Sequence, residues 1–392
     1  MDSNKKNIAR VPQMSVLILD SGNWDTLKVL RCLGQVPTIK VYVLSNNRFP
    51  ITRFSRYYKH WHYHRDVNDE RLLETVKKLT QQWKIDVLLP TALEEIWFLS
   101  RNYEAASKIA AIPTLANTKL ISLANDKWAF YQFLTQTGLP VVPTVYIGKT
   151  GRPMQAVDVD SIEYPALLKP VSGKGGFGIV KVANFLDLER AWHDEHIMKN
   201  SHYILQSYIP GTDVCLQVFC KAGKISVYTL QKSLSESNSY FGPQRIMEFL
   251  TNEEIHSLGE NITSTLKWEG TACIDFRIDA RDQKPKILEF NPRFGQAVLG
   301  SLVAGVNFPL IACCSAFNIE YPTKYKDTIY VHPIPSAKIF FSHIFGRNRP
   351  SIQLKWSESG LKFTCSDPLP EIVDLSHRIG RQLKHRLTRK YL

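Results

Sequence analysis

The chain has 392 residues, of which 44% are hydrophobic and 22% are charged. This composition is typical of a globular protein with two or three domains, and no stretch approaches the roughly 20 apolar residues that a membrane-spanning helix requires. The formal charge of +13 favours anionic ligands in general.

The N-terminus and the cysteines bear on the compartment. Residues 1–13 contain no apolar segment of the kind found in signal peptides, and we expect them to form a disordered tail. The seven cysteines show no CxxC spacing. An odd number without a framework favours a reducing compartment and argues against a zinc site. The sequence therefore predicts a cytoplasmic protein.

Strand and helix patterns alternate along the first hundred residues. The apolar run Met14–Asp20 predicts a buried parallel strand that ends at a turn. Further along, apolar periodicity predicts a helix over 24–34, a strand over 38–45, a helix over 69–83 and a strand over 85–89. Such alternation is typical of a doubly wound α/β sheet, and we assign residues 14–117 to a Rossmann-like domain.

The rest of the chain is richer in strands. One helix is predicted over 118–138, and the β-rich runs that follow enclose a helix near 185–199 and another at 251–266. This pattern indicates an α+β module. At the C-terminus, Leu375 and Ile379 have helical spacing in a basic segment. We expect this amphipathic helix to pack on the body of the protein, with binding to nucleic acid or to a membrane surface as the alternative.

A glycine-rich loop at 172–178 contains GxGxxG at Gly173, Gly175 and Gly178. The dinucleotide-binding fingerprint requires a helix after the loop, whereas residues 179–182 have the pattern of a strand. The loop therefore joins a hairpin that can fold over phosphates and offer them backbone N–H groups. Lys169, on the preceding strand, can reach phosphate oxygens. A flexible surface hairpin is the alternative.

Two later strands carry carboxylates in alternation. Side chains alternate with period two, so Asp275 and Arg277 share one face of a strand, and Glu289, Asn291 and Arg293 share a face of the next. If the strands pair, Asp275, Glu289 and Asn291 converge as the hard oxygen ligands that Mg²⁺ prefers. Arg277 and Arg293 would then stabilise charge on a transferring phosphoryl group. A solvent-facing hairpin with ordinary charges is the alternative.

In combination, these segments resemble the ATP-grasp family over about residues 14–315. The resemblance is carried by Asn125-Asp126-Lys127, the Lys169 strand, the glycine loop, the LQSYIPG segment at 205–211, Asp275, and the EFNPR segment at 289–293. It points to the carboxylate–amine ligases of the carbamoyl-phosphate-synthase-like branch. It implies an N-terminal Rossmann-like (pre-ATP-grasp) domain followed by a two-lobed ATP-grasp fold. The small lobe would span 118–205, the large lobe with the Mg-ATP site 206–317, and a C-terminal extension with the basic helix 318–392.

The resemblance also implies a role for each matching residue. Lys127 and Lys169 would contact ATP, and the loop residues Ser172, Gly173, Lys174, Gly175 and Gly176 would close over its phosphates. The hinge that meets adenine would be Gln206, Ser207, Tyr208 and Ile209, although family members often carry Glu where Gln206 stands. Asp213 would bind the ribose hydroxyls. Asp275, Glu289 and Asn291 would hold Mg²⁺, with Mn²⁺ as the alternative ion, and Arg293 would steady the acyl-phosphate transition state.

The implied reaction joins two small molecules. A carboxylate attacks the γ-phosphate of ATP, ADP leaves, and the amine of an amino acid or small metabolite then displaces phosphate. Arg245 and Arg277 are candidates for gripping the substrate carboxylate, because a guanidinium matches it bidentately. The alternatives are a carboxylating or carbamoyl-phosphate-type enzyme and a non-catalytic nucleotide-binding module. We expect no nucleic-acid partner, and a homodimer is retained as a hypothesis.

Overall fold

The computed structural model describes residues 11–20, 24–65, 71–149, 154, 159–173, 175–194, 202–234, 245–321, 323–345 and 352–390, without the side chains of 160, 343–345 and 380–390. The expectations for residues 1–10 and for Lys174 concern positions outside these ranges. The chain divides into two compact units. One contains residues 1–115 and 296–392, and the other contains residues 116–295.

The first unit begins with a parallel sheet. Its elements are the strands β1 (Met14–Asp20), β2 (Ile39–Ser45), β3 (Trp61–Tyr63) and β4 (Val87–Pro90), and the helices α1 (Trp24–Leu33), α2 (Leu72–Trp83), α3 (Leu93–Arg101) and α4 (Tyr103–Ala106). The four strands are ordered β3-β2-β1-β4 and all pair in parallel. Leu17, Leu44 and Leu88 are buried in its core. The prediction of an N-terminal parallel α/β sheet is confirmed.

The second unit begins with a four-stranded antiparallel sheet. Its elements are α5 (Thr118–Asn125), α6 (Lys127–Gln136), β5 (Thr144–Lys149), β6 (Ala166–Pro170), β7 (Val180–Val182), α7 (Phe185–Trp192) and β8 (His202–Ser207), and the strands are ordered β5-β8-β6-β7. The single helix predicted over 118–138 is wrong. It breaks at Asp126, which has extended backbone angles and whose side chain accepts a hydrogen bond from the Ala129 N–H as the N-cap of α6.

A larger antiparallel sheet completes the second unit. Its elements are β9 (Gly211–Lys221), β10 (Lys224–Ser233), β11 (Ile246–Leu250), α8 (Glu253–Leu266), β12 (Gly270–Asp279) and β13 (Pro285–Asn291), and within this unit the strands are ordered β13-β12-β9-β10-β11. Adjacent strands pair in antiparallel register. The expectation that an α+β module follows the parallel sheet is confirmed.

The C-terminal residues complete the first unit. They form α9 (Val298–Val303), α10 (Phe308–Ser315), β14 (Thr328–Val331), α11 (Pro333–Phe345), α12 (Leu361–Ser366) and α13 (Leu369–Lys390). The Arg31 guanidinium donates to the Asp367 carboxylate and carbonyl and to both oxygens of Glu371, at 2.7–3.2 Å. Asp367 also accepts hydrogen bonds from the Ser55 hydroxyl and the Arg56 N–H, both at 2.8 Å. These bonds fix the start of α13.

The predicted C-terminal helix is present, but its predicted packing is wrong. Leu375 is 59% exposed and Ile379 is 49% exposed. The helix is instead held near its beginning, where Pro370 is buried and Glu371 binds Arg31. Among the described residues, no helix combines the length and the apolar character that crossing a membrane would need.

Candidate active site

The paired strands β12 and β13 bring three oxygen-bearing side chains together. Asp275 lies opposite Glu289 in the register. The amide nitrogen of Asn291 is 2.9 Å from an oxygen of Asp275 and 2.9 Å from an oxygen of Glu289. Both carboxylates therefore face one common point, as the period-two alternation of the sequence predicts.

The two carboxylates have opposite pKa shifts. Burial raises the pKa of Asp275 well above its usual range, and the negative charge of Glu289 adds to this, while Arg293 opposes it. Burial also acts to raise the pKa of Glu289, but Lys127, the Asn291 amide and Lys169 outweigh burial and lower it to about 2. Glu289 is therefore ionised at neutral pH, whereas burial and the negative charge of Glu289 oppose the ionisation of Asp275.

The donor set fits a divalent cation. Two carboxylates and one amide supply hard oxygen ligands. The repulsion that raises the pKa of Asp275 is what a bound cation would relieve, because an opposite charge nearby favours the ionised form. Asp275, Glu289 and Asn291 are thus the residues that would hold Mg²⁺, with the side-chain amide turned to present its oxygen.

Lys127 is held against this cluster. Its ammonium is 3.0 Å from the second oxygen of Glu289. Lys127 is the first residue of α6, which Asp126 caps, and its backbone N–H donates to the Val171 carbonyl at 2.9 Å. The cap and the backbone bond place the lysine between the carboxylate hairpin and the segment after β6.

Lys169 begins a buried hydrogen-bond chain in the smaller sheet. Its ammonium donates to the Gln206 side-chain oxygen at 2.7 Å, and the Gln206 amide nitrogen lies 3.0 Å from the Thr144 hydroxyl. Burial lowers the pKa of Lys169 to about 8. Because Gln206 is neutral, it orients the ammonium without neutralising it, so the positive charge remains for an anionic ligand.

The glycine loop joins β6 and β7, which pair in antiparallel register. Gly175, Gly176 and Gly178 have φ values of 68°, 74° and 75°, which only glycine adopts readily. Gly173 lines the same pocket as Lys127, Glu289 and Asn291. The described part of the loop therefore borders the carboxylate cluster, as a phosphate-covering loop requires.

Part of the segment that was predicted to bind adenine is hydrogen-bonded within the protein. The Ser207 N–H donates to the Pro143 carbonyl at 3.0 Å, and the Tyr208 N–H donates to the Pro165 carbonyl at 2.9 Å. These two donors therefore have partners already. Ile209 is buried. The assignment of Gln206 to Ile209 to nucleotide binding stays a prediction.

Arg277 contacts two residues that were predicted to bind the nucleotide. It pairs with Asp213 at 2.5 Å and donates to the Tyr208 hydroxyl at 3.2 Å. The Lys181 ammonium sits 3.7 Å from the centroid of the Tyr208 ring. Asp213 and Tyr208 are thus held beside β12 by Arg277. Its roles in charge stabilisation and substrate binding stay predictions.

The other two predicted arginines are placed differently. Arg293 follows β13, where its N–H donates to the Asn291 carbonyl at 2.8 Å, and its charge acts on Asp275. Arg245 is exposed immediately before β11. The structure brings Arg293 to the carboxylate cluster, and the substrate role of Arg245 stays a prediction.

The residues beneath the carboxylates were not among the predicted site residues. Cys215 on β9 and Cys273 on β12 form a disulfide, although the cysteine spacing indicated no framework. Gln217, next on the same face of β9, is fully buried, and neither atom of its amide group has a hydrogen-bond partner among the described residues. Alternation of Cys215 and Gln217 with apolar residues was a usable signal, but it does not reveal that β9 pairs with β12.

Comparison with known proteins agrees with this geometry. The chain matches the model of the ATP-grasp domain over residues 124–297. It is 25% identical over 182 residues to a D-alanine–D-alanine ligase of Flavobacterium johnsoniae, covering 43% of this chain and 55% of that protein. The matched segment spans 18% to 55% of the lengths of the curated relatives.

Two solved structures share the fold. An L-amino acid ligase from Bacillus licheniformis superposes with a TM-score of 0.60 at 16% identity, covering 79% of this chain and 75% of the other. The N5-carboxyaminoimidazole synthetase from Staphylococcus aureus, complexed with ADP, gives a TM-score of 0.64 at 16% identity and covers 86% of each chain. The predicted combination of an N-terminal parallel sheet with an ATP-grasp fold is confirmed.

Proposed function

We propose that this protein is an ATP-dependent ligase that activates a carboxylate as an acyl phosphate and joins it to the amine of an amino acid or small metabolite. The observation that carries the proposal is the contact of Asn291 with both Asp275 and Glu289, at 2.9 Å each. The two carboxylates meet at one point beside the glycine loop, where they would hold the Mg²⁺ that phosphoryl transfer from ATP requires.

The proposed binding of Mg·ATP follows from the charges. Asp275, Glu289 and Asn291 would hold the cation, which would neutralise the phosphates and align the γ-phosphate for transfer. Lys127 and Lys169 present two ammonium groups toward the same region. The backbone N–H groups of Gly173, Gly175 and Gly176 would cover the phosphates and exclude water.

The reaction needs positioning and charge stabilisation more than a protein nucleophile. A substrate carboxylate oxygen attacks the γ-phosphorus, the bond to the bridging oxygen breaks, and ADP leaves. The amine nitrogen then attacks the acyl carbon, phosphate leaves with the bonding electrons, and the amine proton passes to solvent. Arg293, which acts on Asp275, would stabilise the negative charge that develops during the transfer.

The D-alanine–D-alanine ligase similarity supports an amino acid as one substrate. The alternative of a carboxylating enzyme makes bicarbonate a further substrate to test. The assay identifies the pair of molecules that is joined.

The test is ADP release by the whole protein with Mg·ATP and a panel of amino acids and organic acids, offered singly and in pairs, with bicarbonate included. We expect ADP release to require a carboxylate and to rise further when an amine is added, with a mass-resolved amide product. Tight Mg·ATP binding without ADP release in any mixture would show a nucleotide-binding module instead. Release that depends on bicarbonate alone would assign the carboxylating reaction.

A further inference from the structure

A pair of cysteines lies under the proposed Mg²⁺ ligands. Cys215 and Cys273 are bonded to each other, and the Cys273 sulfur is 3.9 Å from an oxygen of Asp275. The two sulfurs and an Asp275 oxygen all lie within 4.8 Å of one another. Two sulfur ligands and one carboxylate are therefore already gathered within the span of a single coordination sphere.

The strand register explains this arrangement. Asp275 lies opposite Cys215, and Cys273 lies opposite Gln217, so the two cysteines occupy diagonal positions on one face of the β9–β12 pair. Both cysteines are 5% exposed. A Cβ atom at Gly295 would lie 3.1 Å from the Cys273 sulfur, so the backbone after β13 closely covers that atom. The pair is held inside the site.

We propose that reduction of the Cys215–Cys273 disulfide creates a binding site for a thiophilic divalent ion such as Zn²⁺, formed by both sulfurs and Asp275. Thiolate and carboxylate ligands suit Zn²⁺, and three protein ligands leave a fourth position for water. In the disulfide form neither sulfur is a thiolate, and Asp275 serves only the hard cation. The redox state of the pair therefore selects which kind of metal ion Asp275 binds.

A phosphine can reduce the Cys215–Cys273 disulfide. The phosphine donates two electrons to the S–S bond and takes its oxygen from water, and the two protons of that water go to the sulfurs. Zn²⁺ then displaces both thiol protons to solvent as the metal–sulfur bonds form. Because Asp275 is shared with the proposed Mg²⁺ site, bound zinc would lower the affinity for Mg·ATP. The competition with Mg²⁺ rests on the proposed function, whereas the zinc site itself does not.

The test measures zinc binding by equilibrium dialysis of the whole protein without nucleotide, before and after reduction with a phosphine. We expect about one more equivalent of zinc in the reduced protein, in keeping with a single mononuclear site. Cys215→Ser and Cys273→Ser should each abolish the difference. The matched control is Cys220→Ser, a buried free cysteine on the opposite face of β9, which should retain it. Equal zinc binding before and after reduction would overturn the proposal.

A second measurement needs no variant. In the reduced wild-type protein, zinc should slow alkylation of Cys215 and Cys273 about tenfold or more, as expected when metal coordination removes the free thiolate. The exposed Cys365 should react at an unchanged rate. Peptide mass spectrometry separates the three positions, and unprotected Cys215 and Cys273 would contradict the site. Since no ATP is present, failure of the ligase reaction would leave these results unaffected.

An independent observation concerns α13. Its apolar residues Leu369, Ile372, Leu375 and Ile379 are 49–59% exposed and share one side of the helix by their spacing. The buried Pro370 lies on the opposite side of the helix, and Glu371, which binds Arg31, borders the stripe four residues before Leu375. The helix therefore presents an apolar stripe away from the body that holds it.

The geometry points to an anionic lipid surface as the occupant of this stripe. Residues 375–390 contain six Lys or Arg residues and no Asp or Glu. Two copies of such a helix would repel each other, whereas acidic headgroups attract the basic residues while the stripe enters the acyl boundary. A basic amphipathic helix that lies in the interface needs no membrane-spanning segment.

The test is co-sedimentation of the whole protein with vesicles of phosphatidylcholine alone or with 30% phosphatidylserine. We expect binding only to the acidic vesicles, with at least a tenfold loss in Leu375→Glu, since burying a charge at the apolar boundary is costly. Leu186→Glu, which changes a 62% exposed leucine on α7, should bind normally. Equal binding to both vesicles, no binding, or self-association that Leu375→Glu abolishes would each overturn the assignment.

Discussion

Two charged clusters in this molecule differ in whether neighbouring side chains neutralise their charges. In the first unit, Arg31 is 3% exposed and its guanidinium satisfies both Asp367 and Glu371. In the second unit, Asp275 and Glu289 face each other, and burial together with their repulsion raises the pKa of Asp275. The first arrangement is complete without a ligand and fixes α13. The second would gain stability from an added cation, and such sites are where function is expected.

The largest effect is expected from Glu289→Gln. Losing this carboxylate removes one proposed cation ligand and the partner of Lys127, so ADP formation should fall about 10²- to 10³-fold. The protein should stay folded, because one partly exposed ion pair contributes only about 1 kcal/mol. Thermal unfolding checks this, and Glu163→Gln, at a 72% exposed carboxylate, is the matched control. Unchanged turnover would remove the metal assignment.

Asp367→Asn tests the balanced cluster. It removes the charge that faces the buried Arg31 and weakens the bonds from Ser55 and Arg56. Leaving part of a buried charge unpaired should lower the free energy of unfolding by about 3 kcal/mol. Asp374→Asn, in the Asp374–Arg378 pair on the outer part of α13, should cost less than about 1 kcal/mol. Denaturant unfolding measures both free energies. Equal losses would show that the Arg31 cluster contributes no more to stability than the outer ion pair does.

The same substitution at Asp275 should have the opposite sign. Its pKa is raised in the folded state, so its stabilising effect is full below the ordinary carboxyl pKa and is lost as pH rises through the raised value. At neutral pH and without divalent ions, Asp275→Asn should therefore stabilise the protein by on the order of 1 kcal/mol. The gain should vanish at acidic pH or with saturating Mg²⁺. Destabilisation of the ion-free protein at neutral pH would refute the contrast between the two clusters.

The predictable parts of this molecule follow from short-range periodicity. The parallel sheet and the alternation that puts Asp275, Glu289 and Asn291 together need only the spacing of residues within single strands and a hairpin. The disulfide depends instead on β9 lying beside β12, and the two cysteines are separated by 58 positions in the sequence. The break before Lys127 had a local signal, the capping residue Asp126, which helical periodicity across 118–138 concealed. The exposure of Leu375 depends on which side of α13 Arg31 holds, and no local pattern contains that information.

The smallest expected effect concerns Lys169, whose charge is oriented but not neutralised. Because burial lowers its pKa to about 8, the affinity for Mg·ATP should fall as pH rises through that region. Losing one charged hydrogen bond should weaken binding about fivefold, roughly 1 kcal/mol. Gln206→Glu places a carboxylate at the bonded position, 2.7 Å away in the native pair, so it should raise the pKa of Lys169 and move the midpoint to higher pH. Titration of nucleotide binding against pH measures this, with Gln132→Glu on the exposed side of α6 as the control. A midpoint that Gln206→Glu leaves in place would mean that Lys169 is not the group that titrates.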